Sequence, residues 1–367
     1  MKVLQVINSL EAGGAEKLVV DMAIEFHKKG IEVTVLLLKE ISTPLYKRLK
    51  AYPKIQLHAI SLSKNIYNPL HILKIKSWLH QFDIVHVHLF PSSYWVAMAN
   101  LLSFNKNKII FTEHNSTNRR RSILIFKLID KLIYKQFNTI VTISDAVDLS
   151  LRKHLGERFK NIVKIQNGIH LKMVEHAEPY RKKELGFEDN QKLILQVASF
   201  TAQKDQKTVI KALLLLPENT HLLLVGDGPL LVENKMLAEN LELIDRVHFL
   251  GIRNDVPRLL KSVDVVALAS HYEGLSLSCI EGMASGRPFV ASNTPGLGDV
   301  VKGAGLLFED NNHNELAILI SKLLSTPKFY LNTIEKCQTK AKYFDINFMI
   351  KKYINLYKKN YIEKKGN

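Results

Sequence analysis

Short apolar runs alternate with longer amphipathic ones along this chain, in two successive sets, and this pattern most restricts how it can fold. In the first half KVLQVIN, EVTVLLL, IVHVHL, KIIFTEH, TIVTIS and IVKIQNG read as strands, and the stretches near 15–29, 70–80, 122–137 and 145–154 carry helical apolar spacing. In the second half LILQVAS, HLLLVGDG, VHFLG, VVALAS and PFVAS repeat the pattern. Strands apolar on both faces need cover on both, and intervening helices supply it in a parallel sheet. The fold class is therefore α/β, with two doubly wound domains. Asn167-Gly168 closes the first set, and the polar stretch 172–191 with Pro179 reads as a linker. The expected divisions are 1–172, 173–340 and a Lys- and Tyr-rich terminal helix in 341–367. Sites in such sheets lie beyond the carboxyl ends of the strands, here across a cleft between the domains.

Composition excludes several classes. A hydrophobic content of 46% with 23% charged residues is globular. No apolar run approaches the ~18 residues of a membrane span. The start MKVLQVINSL runs directly into a glycine loop and reads as a buried strand, not a signal peptide. Only Cys279 and Cys337 are present, which argues against a disulfide framework and for a reducing cytoplasm. The net charge of +16 divides into +14 over 1–172, −3 over 173–340 and +5 over 341–367. A basic first half suits an anionic partner, nucleic acid or a membrane surface; a Lys-rich genome would give the same excess. No RNA-binding signature, zinc finger or aromatic-basic repeat accompanies the charge, so nucleic acid is not expected.

The segment HYEGLSLSCIEGMASGRP, residues 271–288, places Glu273 and Glu281 with seven residues between them. Glu273-Gly274 reads as a loop and Ser278 to Ser285 as a short helix stopped by Gly286 and Pro288. Glu281 then lies about one turn into a helix whose free N–H groups face the Glu273 loop. A helix start attracts phosphate, and carboxylates beside it accept hydrogen bonds from sugar hydroxyls. A capped surface helix with two solvated glutamates has the same local pattern.

The Glu-x7-Glu spacing within EGLSLSCIEGMASGRPFVAS resembles the signature of retaining glycosyltransferases of the GT-B fold, family 4. The likeness runs from the N-terminal glycine loop to about residue 325, is strongest from Phe249 onward and fades over 40–80. It implies two Rossmann-like domains with the C-terminal helix returning to the first. By this resemblance Glu281 accepts hydrogen bonds from the donor ribose and Glu273 holds the donor sugar. Backbone N–H groups around Leu275, Ser276 and Leu277, with Lys204, stabilise the departing diphosphate.

Other motifs take roles through the same resemblance. The loop Asn8 to Glu16 follows the first strand and opens a helix; its Gly13-Gly14 permits close backbone approach but lacks GxGxxG spacing. The resemblance sets it against the donor diphosphate and the acceptor. His114, in Thr112-Glu113-His114-Asn115 at a strand end, is implied to lie near the transferred sugar, tuning the pocket and not serving as an obligatory base. In QVASFTAQKDQ, Lys204 matches the diphosphate-contacting cation, while Ser199 stands where the family often has Arg, and Arg253 or Lys207 are candidates to replace that charge. The Gly226-Asp227-Gly228-Pro229 turn and Gly251 to Asp255 are implied to border the base.

His86 and His88 alternate on one strand and share a face, but no further ligand pattern completes a metal site; His88 is placed toward the acceptor. Arg119, Arg120 and Arg121 precede SILIFKLIDKLIYK, a combination that suits an anionic membrane, although a core helix with a basic end has the same pattern. No Asp-x-Asp motif is present, and neither cofactor nor divalent metal is expected; the nucleotide-sugar is a substrate. The resemblance thus implies transfer from a UDP- or GDP-sugar to a lipid-linked saccharide in capsule, exopolysaccharide or O-antigen assembly, by a cytoplasmic enzyme peripheral at the inner membrane face. The alternatives are a nucleotide-sugar epimerase on the same fold and a non-catalytic nucleotide-sugar-binding protein. Base, linkage and oligomeric state are not legible.

Overall fold

The computed structural model describes all residues except 12, 62–64, 104–106, 117–120, 122, 157–158 and 366–367. It divides into two compact units, Met1–Asn167 with Asn347–Asn367, and Gly168–Ile346.

The first unit is a seven-stranded parallel sheet: β1 (Lys2–Ile7), β2 (Glu32–Leu37), β3 (Gln56–Ala59), β4 (Ile84–His88), β5 (Lys108–Glu113), β6 (Thr139–Thr142) and β7 (Ile162–Lys164). Their order is β3-β2-β1-β4-β5-β6-β7, so the winding reverses between β1 and β4. The second unit is a six-stranded parallel sheet: β8 (Lys192–Val197), β9 (Thr220–Val225), β10 (Val247–Gly251), β11 (Val265–Leu268), β12 (Phe289–Ser292) and β13 (Leu306–Phe308). Its order, β10-β9-β8-β11-β12-β13, reverses between β8 and β11. Central strands β1, β4, β9 and β12 are buried almost throughout, as the continuous apolar runs require.

Two strands escaped the sequence pattern. The edge strands β3 (QLHA) and β13 (LLF) are too short to show a period, and short edges are what limits pairing with other chains. The domain divisions also move. The first boundary falls at 167/168, not 172/173, and the last at 346/347, not 340/341. The cause is backbone pairing between the two crossings: Ile169 N–H donates to Phe344 O and Ile346 N–H to Ile169 O, each at 2.9 Å. Gly168 is required there, since a Cβ would sit 2.7 Å from Ile346 Cα. The stretch 172–191 is likewise part of the second unit; Lys182 Nζ reaches Asp264 at 2.9 Å.

The terminal helix Ile346–Lys365 packs on the first unit. Tyr353 and Tyr357 are fully buried, with ring centroids 6.4 and 5.1 Å from Phe26. Their i, i+4 spacing puts both on one helix face.

Candidate active site

In the second unit the winding reverses between β8 and β11, and doubly wound sheets bind ligands beyond the carboxyl ends of the strands at such a point. After β8 the chain makes a short 3-10 turn, Ala202–Lys204, ended by Asp205 at φ 34°. Gln196, at the end of β8, holds this turn by donating to Lys204 O at 2.8 Å. After β11, His271 N–H donates to Gln203 O at 2.9 Å, and Gln203 Nε2 donates to Tyr272 O at 2.7 Å. The two loops are thereby zipped together, and the Lys204 ammonium closes on the Glu273 carboxylate.

Glu273 is only 5% exposed. Its loop is fixed from behind: Glu273 N–H donates to Pro295 O at 3.0 Å, and Gly296, at φ 82°, leaves room that a Cβ would fill 2.1 Å from Glu273 O. Gly274 and the buried Leu275, Ser276 and Leu277 then lead into the helix Leu277–Ala284. Ser276 caps it, its hydroxyl accepting from Cys279 N–H at 3.4 Å. Among the described residues, the N–H groups of Leu275, Ser276 and Leu277 meet no acceptor. Glu281 lies in this helix, buried at 6% exposure, and its neighbour Gly282 packs flat on Phe289, whose ring would be 2.6 Å from a Cβ. A paired cation and carboxylate, unspent N–H donors and a second buried carboxylate are thus carried by adjoining segments. Together they can take an anionic group and a polyhydroxyl one.

The expected base-side turn is built as close-packed backbone. Gly226 (φ 142°) and Gly228 (φ 157°) lie against 198–200; a Cβ would come within 2.0 Å of Ala198 O and 2.5 Å of Phe200 O. Ser199 O is engaged, accepting from Gln206 Nε2 at 2.9 Å. Arg253, a candidate to replace the missing Arg, is clasped by Asp255 at 2.8 and 2.6 Å, with Tyr180 donating to the same carboxylate. That clasp holds the Asp255 carboxyl well below the usual range. Lys207 is paired with Glu233 at 2.5 Å. Both candidate substitutes, like Lys204, pair with a carboxylate of their own unit.

In the first unit Gly13 caps and Gly14 starts the helix Gly14–Lys28. The carboxyl of Glu16 folds back over Gly13, where a Cβ would lie 2.1 Å from Glu16 Oε2. Burial pushes the Glu16 carboxyl up to about 7. His114 follows β5 and is buried, its Nε2 3.1 Å from Nδ1 of the fully buried His88. Burial lowers His114 to about 4 and holds His86 and His88 well below the ordinary histidine value, so all three are neutral at physiological pH. Arg121 is turned inward, away from the membrane role expected of it: it pairs with buried Glu113 at 2.9 Å and donates to Ser150 Oγ, because an unpaired Glu113 would be costly there. Arg119 and Arg120 lie outside the described residues.

Among the described residues, Asp205, His271 and Asp310 bring ligand-type atoms within 4.8 Å of one another. His271 Nδ1 is 2.9 Å from Asp310 Oδ1 and Asp205 Oδ1 caps the helix Gln206–Ala212, so ordinary hydrogen bonds account for most of the grouping. Residues not anticipated include Gln203, Glu16 and Gln5. Gln5 carried a signal, being the polar interruption of KVLQVI; the role of Gln203 depends on a contact 70 residues away.

Comparison with known proteins decides the family. Residues 178–340 match the model for glycosyl transferases group 1, and residues 12–172 that for Glycosyltransferase Family 4. The chain belongs to the family 4, group 1 glycosyltransferases. Among relatives, N-acetyl-alpha-D-glucosaminyl L-malate synthase of Bacillus anthracis is 25% identical over 310 residues, covering 79% of this chain and 80% of that enzyme. The Escherichia coli UDP-Gal:alpha-D-GlcNAc-diphosphoundecaprenol alpha-1,3-galactosyltransferase is 27% identical over 268 residues, covering 69% of each. This glycosyltransferase also shares its fold with Anabaena HepE, solved with UDP-glucose, at a TM-score of 0.86, 21% identity and coverage of 98% and 100%.

Proposed function

We propose that this glycosyltransferase moves a sugar, with retention at the anomeric carbon and without a bound metal, from a UDP- or GDP-sugar to a lipid-linked saccharide during surface-polysaccharide assembly. The Lys204–Glu273 pair at the β8/β11 switch point carries the reading. Lys204 and the unspent N–H groups at 275–277 receive the diphosphate, Glu273 orients the sugar hydroxyls and Glu281 the ribose. Fixed donors and a cation then meet the charge that grows on the leaving phosphate.

The relatives use different acceptors by name, a malate in one and a lipid diphosphate in the other. The helix Leu124–Tyr134 favours the lipid for this chain. Its inner side is tied down by Asp130, bonded to Tyr94 and, at 2.8 Å, to His154, and by Tyr134, which donates to Glu113 at 2.8 Å. Its outer side exposes Ile125, Leu128 and Leu132 at 63, 66 and 63%, flanked by exposed Lys127 and Lys135. An apolar stripe beside lysines suits an anionic bilayer surface and supports reading the enzyme as a peripheral protein of the cytoplasmic face. No helix among the described residues is long and apolar enough to cross a membrane.

Calorimetric titration of UDP, GDP and ADP in excess EDTA, with wild type and folded Glu281→Ala, tests the donor site. Binding of one nucleotide by wild type and its loss in the variant are expected; no binding of any nucleotide by folded wild type overturns the assignment.

A further inference from the structure

Seven groups in the first unit form one continuous hydrogen-bond chain that joins His114 to the terminal helix. Gln5, His86, His88, Thr112, Tyr353 and Tyr357 are each fully buried, and His114 is 9% exposed. Each buried, neutral imidazole has one N–H and one bare nitrogen. Gln5 Oε1 can only accept, and it faces His88 Nε2 at 2.6 Å, so His88 is protonated on Nε2. His88 Nδ1 is then an acceptor, and the group opposite it, His114 Nε2 at 3.1 Å, must donate. His114 therefore carries its proton on Nε2 and keeps Nδ1 bare. No hydrogen bond from a described residue reaches that Nδ1.

The other arm runs the same way. Gln5 Nε2 donates to the Tyr357 hydroxyl at 3.1 Å, and the Tyr357 proton goes to His86 Nδ1 at 2.6 Å. His86 Nε2–H then donates to Thr112 Oγ1 at 2.7 Å, which lies 3.1 Å from the Tyr353 hydroxyl, where either hydroxyl can donate. Each of the six links then pairs one donor with one acceptor. Turning Gln5 end for end would reverse the whole chain and move the proton to Nδ1 on all three imidazoles.

We propose that the terminal helix sets the tautomer of His114, with Tyr357 and Gln5 acting as positioning residues that keep His114 Nδ1 a bare acceptor for a substrate hydroxyl. The consequence for turnover rests on the reading of His114 as a residue beside the substrate; the tautomer assignment does not. A neutral ring so reluctant to protonate is a poor base but a sound hydrogen-bond acceptor, which suits holding a hydroxyl in place.

The test is ¹⁵N NMR of the full chain labelled at histidine, at pH 7.5. The expected result is an Nε2–H pattern for His86, His88 and His114; an Nδ1–H pattern at His114 overturns the proposal. In Tyr357→Phe and Gln5→Met, each with unchanged circular dichroism, His114 is expected to show mixed tautomers and kcat to fall about tenfold, the scale of one lost hydrogen bond. An unchanged His114 pattern in a folded variant also overturns it. Gln5→Met alone decides the matter if Tyr357→Phe does not fold. Nucleotide binding to the second unit stays unchanged in both variants. Should the Nε2–H pattern appear while His114→Ala retains full turnover, the substrate-facing reading of His114 fails and the tautomer assignment stands.

Discussion

The Lys204 ammonium meets the Glu273 carboxylate at the point where the second sheet reverses its winding, and neither side chain is free to turn to water: the two are 16 and 6% exposed. The pair is held by backbone on both sides, from Gln196 through Lys204 O and from Pro295 through Glu273 N–H. A fixed cation beside a fixed carboxylate is poised for a ligand with an anionic and a hydroxylated part.

Gly296→Ala should loosen Glu273 without touching it chemically. The new Cβ would be strained by φ 82° and would collide with Glu273 O. A stability loss of about 1–3 kcal/mol is expected for such backbone strain, with weaker donor binding. Urea denaturation and nucleotide-sugar titration of the same sample check both.

Stability should fall as the solution is acidified from about pH 6.5 toward pH 4. His114 is lowered to about 4, below its ordinary 6.5, so between these values the unfolded chain binds the extra proton and folding weakens as pH drops. This group alone accounts for about 3 kcal/mol at 1.36 kcal/mol per pH unit, and His86 and His88 act in the same direction. Glu16, raised from 4.5 to about 7, acts oppositely: the folded chain holds its proton longer, so its contribution is full below pH 4.5 and lost by about pH 7. Glu16→Gln should therefore gain stability over wild type chiefly above pH 7. Denaturation midpoints at pH 5, 6.5 and 8 read out both effects.

Leu128→Asp with Leu132→Asp should abolish binding to vesicles rich in anionic lipid while leaving the fold and nucleotide affinity intact, since both side chains are exposed. Sedimentation with vesicles checks this; equal binding by the variant would remove the helix Leu124–Tyr134 from the membrane account.

Much of this was legible in the sequence because the relevant signals are local. Continuous apolar runs marked the central strands, and Glu273, Glu281 and Gly282 sit in one eighteen-residue segment whose helix was read within a residue of its observed bounds. What was not legible depends on distant contacts. The edge strands β3 and β13 carry too few residues to show a pattern. Arg253 and Arg121 read as available cations, and only the fold shows Asp255 and Glu113 holding them. The chain from Gln5 to Tyr357 joins residues 352 positions apart, which no spacing rule connects. The boundary at 167/168 likewise follows from Ile169 pairing with 344–346.

The most direct measurement is transfer of labelled sugar from UDP- and GDP-sugars to a bacterial extract of lipid-linked saccharides, by wild type and by Glu273→Gln. Removing one fixed charge that orients the donor should lower the rate by roughly 10²–10³-fold while nucleotide binding persists. Labelled lipid product with one donor and its near-loss in the variant are the predicted result. Equal transfer by the folded variant, or nucleotide release by wild type that needs no acceptor, would contradict the account.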